Sequence, residues 1–142
     1  MKQYVDSSVI LRVVLKAHDA LREWDTLREA SSSVLLQVEC LRTLDRHQTS
    51  GEMRSAEVPR SYAALHEAMS RIELLKLDEK ILENAGGPFG LPLKTLDAIH
   101  LVTAIAWRER INDDITFVTH DLQLATAAAA YHFPILGTVL GA

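Results

Sequence analysis

A single cysteine, Cys40, rules out an internal disulfide framework and fits a reducing compartment. No apolar run approaches the roughly 20 residues that span a bilayer. The N-terminus lacks a basic stretch followed by a long apolar one, so no secretory signal peptide is expected. A cytoplasmic location without a membrane partner follows as the expectation. Basic charge is not in excess either: 15 Lys+Arg stand against 19 Asp+Glu, a net charge of −4. A module that grips nucleic acid by electrostatics alone is usually basic. The deficit weighs less against a nuclease, because divalent ions offset acidic ligands and supply phosphate contacts. Methionine and aromatic residues are few and scattered, as core filling requires.

Several chemical signatures are also missing. Six histidines occur without a His-x(3–5)-His pair, and Cys40 has no partner, which speaks against structural zinc. Gly86-Gly87-Pro88-Phe89-Gly90 lacks the strand and Lys-Ser/Thr context of a phosphate-binding loop. No Gly-x-Ser-x-Gly elbow marks a serine hydrolase. The paired acids and late lysine of a phosphotransfer receiver are not seen.

What is present is a chain of 142 residues, 48% hydrophobic and 24% charged, the make-up of one globular domain over 1–142. Residues 2–6 read as a first strand. Ser7 or Ser8 is placed to cap a helix over 9–16, and an amphipathic helical stretch follows over 18–29. Residues 31–35 read as a strand running into the helix that carries Glu39, Arg42 and Arg46, which ends at Thr49-Ser50-Gly51. A helix over 55–72, with Pro59 in its first turn, precedes a strand over 73–77. Asp78 caps a short helix that stops at Gly86-Gly87-Pro88. With three glycines and two prolines, 86–94 reads as an irregular loop. Thr95 is expected to cap an almost wholly apolar, buried helix over 96–110. A strand (115–119), an Ala-rich helix (122–130) and a last strand near 134–136 complete the pattern. Strands alternating with helices predict an α/β fold: a mostly parallel sheet covered on both faces.

Four acids stand near predicted strand ends or the helices that follow them: Asp6, Glu39, Asp97 and Asp121. In open α/β sheets, ligands bind outside the carboxyl ends of the strands. Gathered there, each like-charged pair at about 4 Å would cost on the order of 4 kcal/mol at an effective dielectric of about 20. Such a cluster calls for a cation, and all-oxygen ligands point to magnesium or manganese. Blander readings exist for each acid. Asp6 and Asp121 could be plain helix caps, Asp97 could serve the helix dipole, and Glu39 could pair with Arg42 on a solvated face. Thr119 could add a hydroxyl near the cation. His100 reads either as a satisfied core histidine or as a group supporting the acids. Arg42 and Arg46 could meet phosphates of a bound ligand or simply be solvated.

Tyr4-Val5-Asp6-Ser7-Ser8, Ser33 through Glu39, Leu96-Asp97-Ala98-Ile99-His100-Leu101 and Val118-Thr119-His120-Asp121 resemble, in order, the four acidic blocks of PIN domains. The chain is most similar to the VapC-type ribonuclease toxins of toxin–antitoxin pairs. The resemblance implies a three-layer α/β/α sandwich and Mg2+- or Mn2+-dependent hydrolysis of RNA by cation-activated water. It further implies a homodimer and a cognate antitoxin that blocks the active site. The family's metal-binding acids map onto Asp6, Glu39, Asp97 and Asp121, and its hydroxyl beside the first acid onto Ser7 or Ser8. A PIN nuclease of RNA processing, or an inactive PIN-like binding module, is the alternative. Two departures stand out. Tyr131-His132-Phe133 follows the Ala-rich helix where relatives often carry glycine, and His120 precedes Asp121 where smaller residues are common.

Overall fold

The computed structural model describes residues 1–141. Five strands, β1 (Lys2–Val5), β2 (Ala30–Ser33), β3 (Ile72–Leu75), β4 (Ile115–Val118) and β5 (Ile135–Leu136), form one sheet in the order β3-β2-β1-β4-β5. Every neighbouring pair is parallel, with Tyr4 opposite Ser31 on one side and Phe117 on the other. The helices are α1 (Ser7–Val14), α2 (Leu35–Thr49), α3 (Val58–Ser70), α4 (Glu79–Ala85), α5 (Thr95–Ile111) and α6 (Leu122–Ala130).

Strand alternation divides the core into two layers. Val5 and Val118 pack with Val9, Ile10, Leu36, Leu44 and Leu65 of α1 to α3. Tyr4 and Phe117, one residue earlier on the same strands, point the other way, against Leu101, Ala104, Leu124 and Ala127 of α5 and α6. The result is the expected three-layer α/β/α sandwich. α5 is as buried as its composition predicts, with eight residues from Ala98 to Trp107 out of solvent.

Local expectations needed correction in four places. The helix over 18–29 does not form: the chain takes turns and one 3₁₀ turn, Trp24–Thr26. Lys16 enters the left-handed region (φ 54°) and ends α1, while Leu21 and Trp24 plug individually into the core. Arg71 stacks over Trp24 at 5.0 Å and donates to its carbonyl, an anchorage that overrides local helix preference. Neither Ser7 nor Ser8 caps α1, because Asp6 holds the N-cap and both serines lie inside the helix. Thr95 is likewise inside its helix, with Lys94 at the N-cap. Val34 and Leu35 belong to the start of α2, as its N-cap and first residue, rather than to the strand before it, so β2 is mostly serine. That strand is nonetheless fully buried, since Ser32 donates to the Val5 carbonyl (2.5 Å) and Ser33 Oγ accepts from Leu35 N–H (3.1 Å).

The missing glycine after α6 does not disturb the turn. His132 adopts the left-handed conformation itself (φ 71°). His132 N–H bonds the Ala129 carbonyl and Phe133 N–H the Ala128 carbonyl, both at 3.0 Å, which closes the helix in a Schellman arrangement.

Candidate active site

The strand order reverses between β1 and β4, and in open parallel sheets the crevice at such a point, outside the carboxyl ends, is where ligands bind. Asp6 stands there, one residue past β1, and Thr119, His120 and Asp121 stand there past β4. Two hydroxyls tie the two strand ends together. Ser8 Oγ donates to Asp6 Oδ1 (2.6 Å) and accepts from His120 N–H (2.9 Å). Thr119 Oγ1 donates to Asp6 Oδ2 (2.9 Å) and accepts from Asp121 N–H (3.0 Å). The Asp6 carboxylate is therefore buried, and both of its oxygens receive a hydroxyl donor. Burial pushes its pKa up, the Ser8 bond, the His100 charge and the Thr119 bond pull it down, and Glu39 adds to the rise.

Asp121 does cap α6, accepting Leu124 N–H at 2.9 Å through Oδ1, and it is half-buried at the crevice. The cap and a place at the crevice coexist. Asp97 lies in the first turn of α5, half-buried, and no described residue donates a hydrogen bond to its carboxylate. Its pKa is raised to about 6 by burial first, then by the charges of Asp121, Asp6 and Glu39, against the opposing effect of His100. That pattern places four like charges within one another's fields.

Glu39, on the second turn of α2, does not pair with Arg42. His100 Nε2 lies 2.5 Å from its Oε1, and Ser7 Oγ donates to its Oε2 at 3.3 Å. Arg42 instead pairs with Asp45 (2.9 Å), and Arg46 donates to Thr43 (3.3 Å). Both arginines are exposed and line a groove of about 420 Å³ with Glu39, Ser7 and Leu96. A second groove, about 440 Å³, runs along Ser8, Arg12, Lys94, His120 and Asp121. His120 borders that groove, but its Nδ1 is spent on the Gly137 carbonyl (2.8 Å) and its Nε2 is buried without a hydrogen-bond partner.

His100 is almost fully buried. Burial lowers its pKa, but the bond to Glu39 and the charges of Glu39, Asp6 and Asp97 outweigh that and raise it. Its other nitrogen, Nδ1, meets the Tyr4 hydroxyl at 2.7 Å. Tyr4 escaped the sequence reading. The one signal for it is its i, i+2 spacing from Asp6, which puts both side chains on the same face of β1.

Among the described residues, no three histidine, cysteine, aspartate or glutamate side chains already stand in ligating range of a common point. The donor set nonetheless fits a hard divalent cation. Among the described residues no lysine or arginine nitrogen comes within 4.0 Å of any of the four carboxylates. Burial is the first cause of the upward shifts of Asp6 and Asp97, and the neighbouring acids add to both; a cation among them would relieve that added repulsion. Cys40 offers no alternative ligand: burial and the charges of Glu39 and Asp6 push its thiol up to about 12.

Known proteins share the fold that carries these residues. The chain is 33% identical over 129 residues to Ribonuclease VapC46 of Mycobacterium tuberculosis, covering 88% of each chain. Its fold resembles the crystal structure of PAE2754 from Pyrobaculum aerophilum, with a TM-score of 0.67 at 15% identity, covering 95% of this chain and 83% of that one. Residues 3–130 match the PIN domain family from the first strand to the end of α6, and this chain is a member of that family.

Proposed function

We propose that this protein is a divalent-cation-dependent endoribonuclease and the toxin of a toxin–antitoxin pair. The observation that carries the reading is the convergence of Asp6, Glu39, Asp97 and Asp121 on the carboxyl edge of the sheet, free of lysine or arginine partners among the described residues. Membership of the PIN family and likeness to a protein named a ribonuclease support the substrate class.

Asp6, Glu39, Asp97 and Asp121 would hold Mg2+ or Mn2+, and their carboxylates would accept hydrogen bonds from the attacking water. A cation bound there would supply Lewis acidity to the phosphoryl oxygens. Ser8 and Thr119 keep the Asp6 carboxylate from rotating. Ser7 does the same for Glu39. Lys94, Arg12, Arg42 and Arg46, along the two grooves, offer contacts to flanking phosphates. A homodimer and an antitoxin that covers this edge belong to the same proposal, as does action in the cytoplasm; among the described residues no helix is long and apolar enough to cross a membrane.

Expression of the chain alone in a bacterial host, beside Asp6→Ala and Asp97→Ala versions, tests the reading. Growth arrest by the native chain, relieved by either substitution, together with Mg2+-dependent RNA cleavage in vitro, is the expected result. Cleavage without growth arrest would favour an RNA-processing nuclease. Absence of both growth arrest and RNA cleavage would refute the proposal.

A further inference from the structure

We infer that Tyr4, acting through His100, fixes the orientation of the Glu39 carboxylate, which makes Tyr4 and His100 positioning residues of the cation centre. The inference rests on the nuclease reading above. It starts from a count of donors and acceptors in the interior. The Tyr4 ring is completely buried, tilted against Phe117 at 5.2 Å and edge-on to His100 at 5.8 Å. Packing of that kind needs no hydroxyl, and a buried hydroxyl costs stability unless it is bonded. The Tyr4 oxygen accepts Ser33 N–H at 3.2 Å. Its remaining partners are His100 Nδ1, at 2.7 Å, and the Ser32 hydroxyl, which itself donates to the Val5 carbonyl.

His100 Nε2, 2.5 Å from Oε1 of Glu39, donates to it while Nδ1 turns to the Tyr4 hydroxyl, an arrangement open to the neutral and the charged ring alike. Ser7 holds Oε2, so the two carboxylate oxygens are held by donors from α5 and α1. Tyr4 is thus the group that holds the His100 ring with Nε2 toward Glu39. Without the hydroxyl, Nδ1 loses its partner and the ring can turn away from the carboxylate. Outer partners of metal-binding carboxylates and histidines commonly set affinity in this way. Tyr4 and Asp6 share one face of a single strand, so the same short segment carries one acid and governs another.

The test is Mn2+ binding by titration calorimetry on the full chain stripped of metal, for the native protein, Tyr4→Phe, His100→Gln and His100→Leu. Tyr4→Phe keeps the ring and removes the hydroxyl. It is expected to weaken Mn2+ binding roughly tenfold, and to lower kcat on a cleaved RNA with KM unchanged. His100→Leu is expected to lose about 10- to 100-fold, and His100→Gln, which keeps an amide N–H near the place of Nε2, to recover most of that loss. Nitrogen chemical shifts of the Mg2+-loaded native protein are expected to show a protonated Nε2 at His100, with that signal shifted and broadened in Tyr4→Phe. Native Mn2+ affinity in Tyr4→Phe, or an unprotonated Nε2 in the native protein, would overturn this inference while leaving the nuclease reading standing. Failure of the native chain to bind Mn2+ would overturn both.

Discussion

At the scale of single residues, Asp97 is the most exposed point of stress. Its pKa of about 6 lies above that of an unfolded aspartate, because burial and three neighbouring carboxylates disfavour its charge. The sign follows from linkage: for a raised pKa, stability is fully present below the unfolded value and is lost as pH rises through the folded one. The metal-free protein is therefore expected to lose stability between about pH 4 and pH 6 on account of Asp97, and to stay penalised above that. Asp97→Asn should raise the melting temperature of the metal-free protein at pH 7.5 and do little at pH 4. Solvent reaches this half-buried group, so the gain is discounted to roughly 1 kcal/mol, about 3 °C. Thermal melts at the two pH values, with chelator present, check it. Excess Mg2+ should abolish the native protein's disadvantage, since the cation supplies the missing compensation.

The four acids were legible in the sequence because each carries a recognisable local setting, and their order matched a known pattern. Their partners were not. Thr119 could be suspected from its place beside Asp121, but its double bond to Asp6 and Asp121 spans 113 positions on one side. The Tyr4 hydroxyl meets a histidine 96 positions away. Pairings at such separation leave no periodic trace in one chain.

At the scale of elements, the two-residue strand β5 does more for the site than its length suggests. Leu136 accepts Thr119 N–H at 3.0 Å, Thr138 donates to the Thr119 carbonyl at 2.6 Å, and the Gly137 carbonyl holds His120. Gly137 lies in the left-handed region (φ 96°), and a Cβ there would stand 2.7 Å from the Thr119 carbonyl oxygen. Gly137→Ala is expected to cost about 1–3 kcal/mol, from the backbone conformation and that clash together. It should also cut RNA cleavage by more than the stability loss explains, because Thr119 and Asp121 would shift. Denaturant melts beside single-turnover cleavage rates separate the two effects. The turn after α6 gives the opposite sign. His132 stands exposed at a left-handed position where glycine meets no steric penalty. His132→Gly should stabilise by up to about 1 kcal/mol with cleavage unchanged, glycine's own entropic cost taking back part of the gain.

Elements with strong periodicity or clear punctuation were readable: α6 between Asp121 and Tyr131, α4 between Asp78 and Gly86, and α5 with its buried middle from Ala98 to Ala104. The segment over 18–29 misled because its apolar spacing is helical, while its fate was decided by Trp24 and Arg71 meeting across the fold. The serine-rich β2 has no hydrophobic alternation at all. It is a strand because β1 and β3 flank it and its hydroxyls are satisfied internally.

At the scale of the whole molecule, an acidic protein is proposed to act on a polyanion. Net charge −4 provides no long-range attraction for RNA, so affinity must come from the cation and a few local side chains. Lys94, Arg12, Arg42 and Arg46 line the flanking grooves, and Arg12 and Arg42 are already paired with Asp19 and Asp45. At about 0.7 per phosphate contacted, four contacts bound the slope of log affinity against log salt at about −3. Binding of a non-cleaved RNA analogue across a salt series checks this, and a slope far steeper would indicate a basic surface contributed by another chain.

The centre itself can be observed by diffraction at the manganese absorption edge from crystals grown with Mn2+. An anomalous peak ligated by the carboxylates of Asp6 and Asp97, with Glu39 or Asp121 joining directly or through water, is the predicted result. An empty crevice at saturating Mn2+, or a peak held by other residues, would contradict a cation centre at this edge of the sheet.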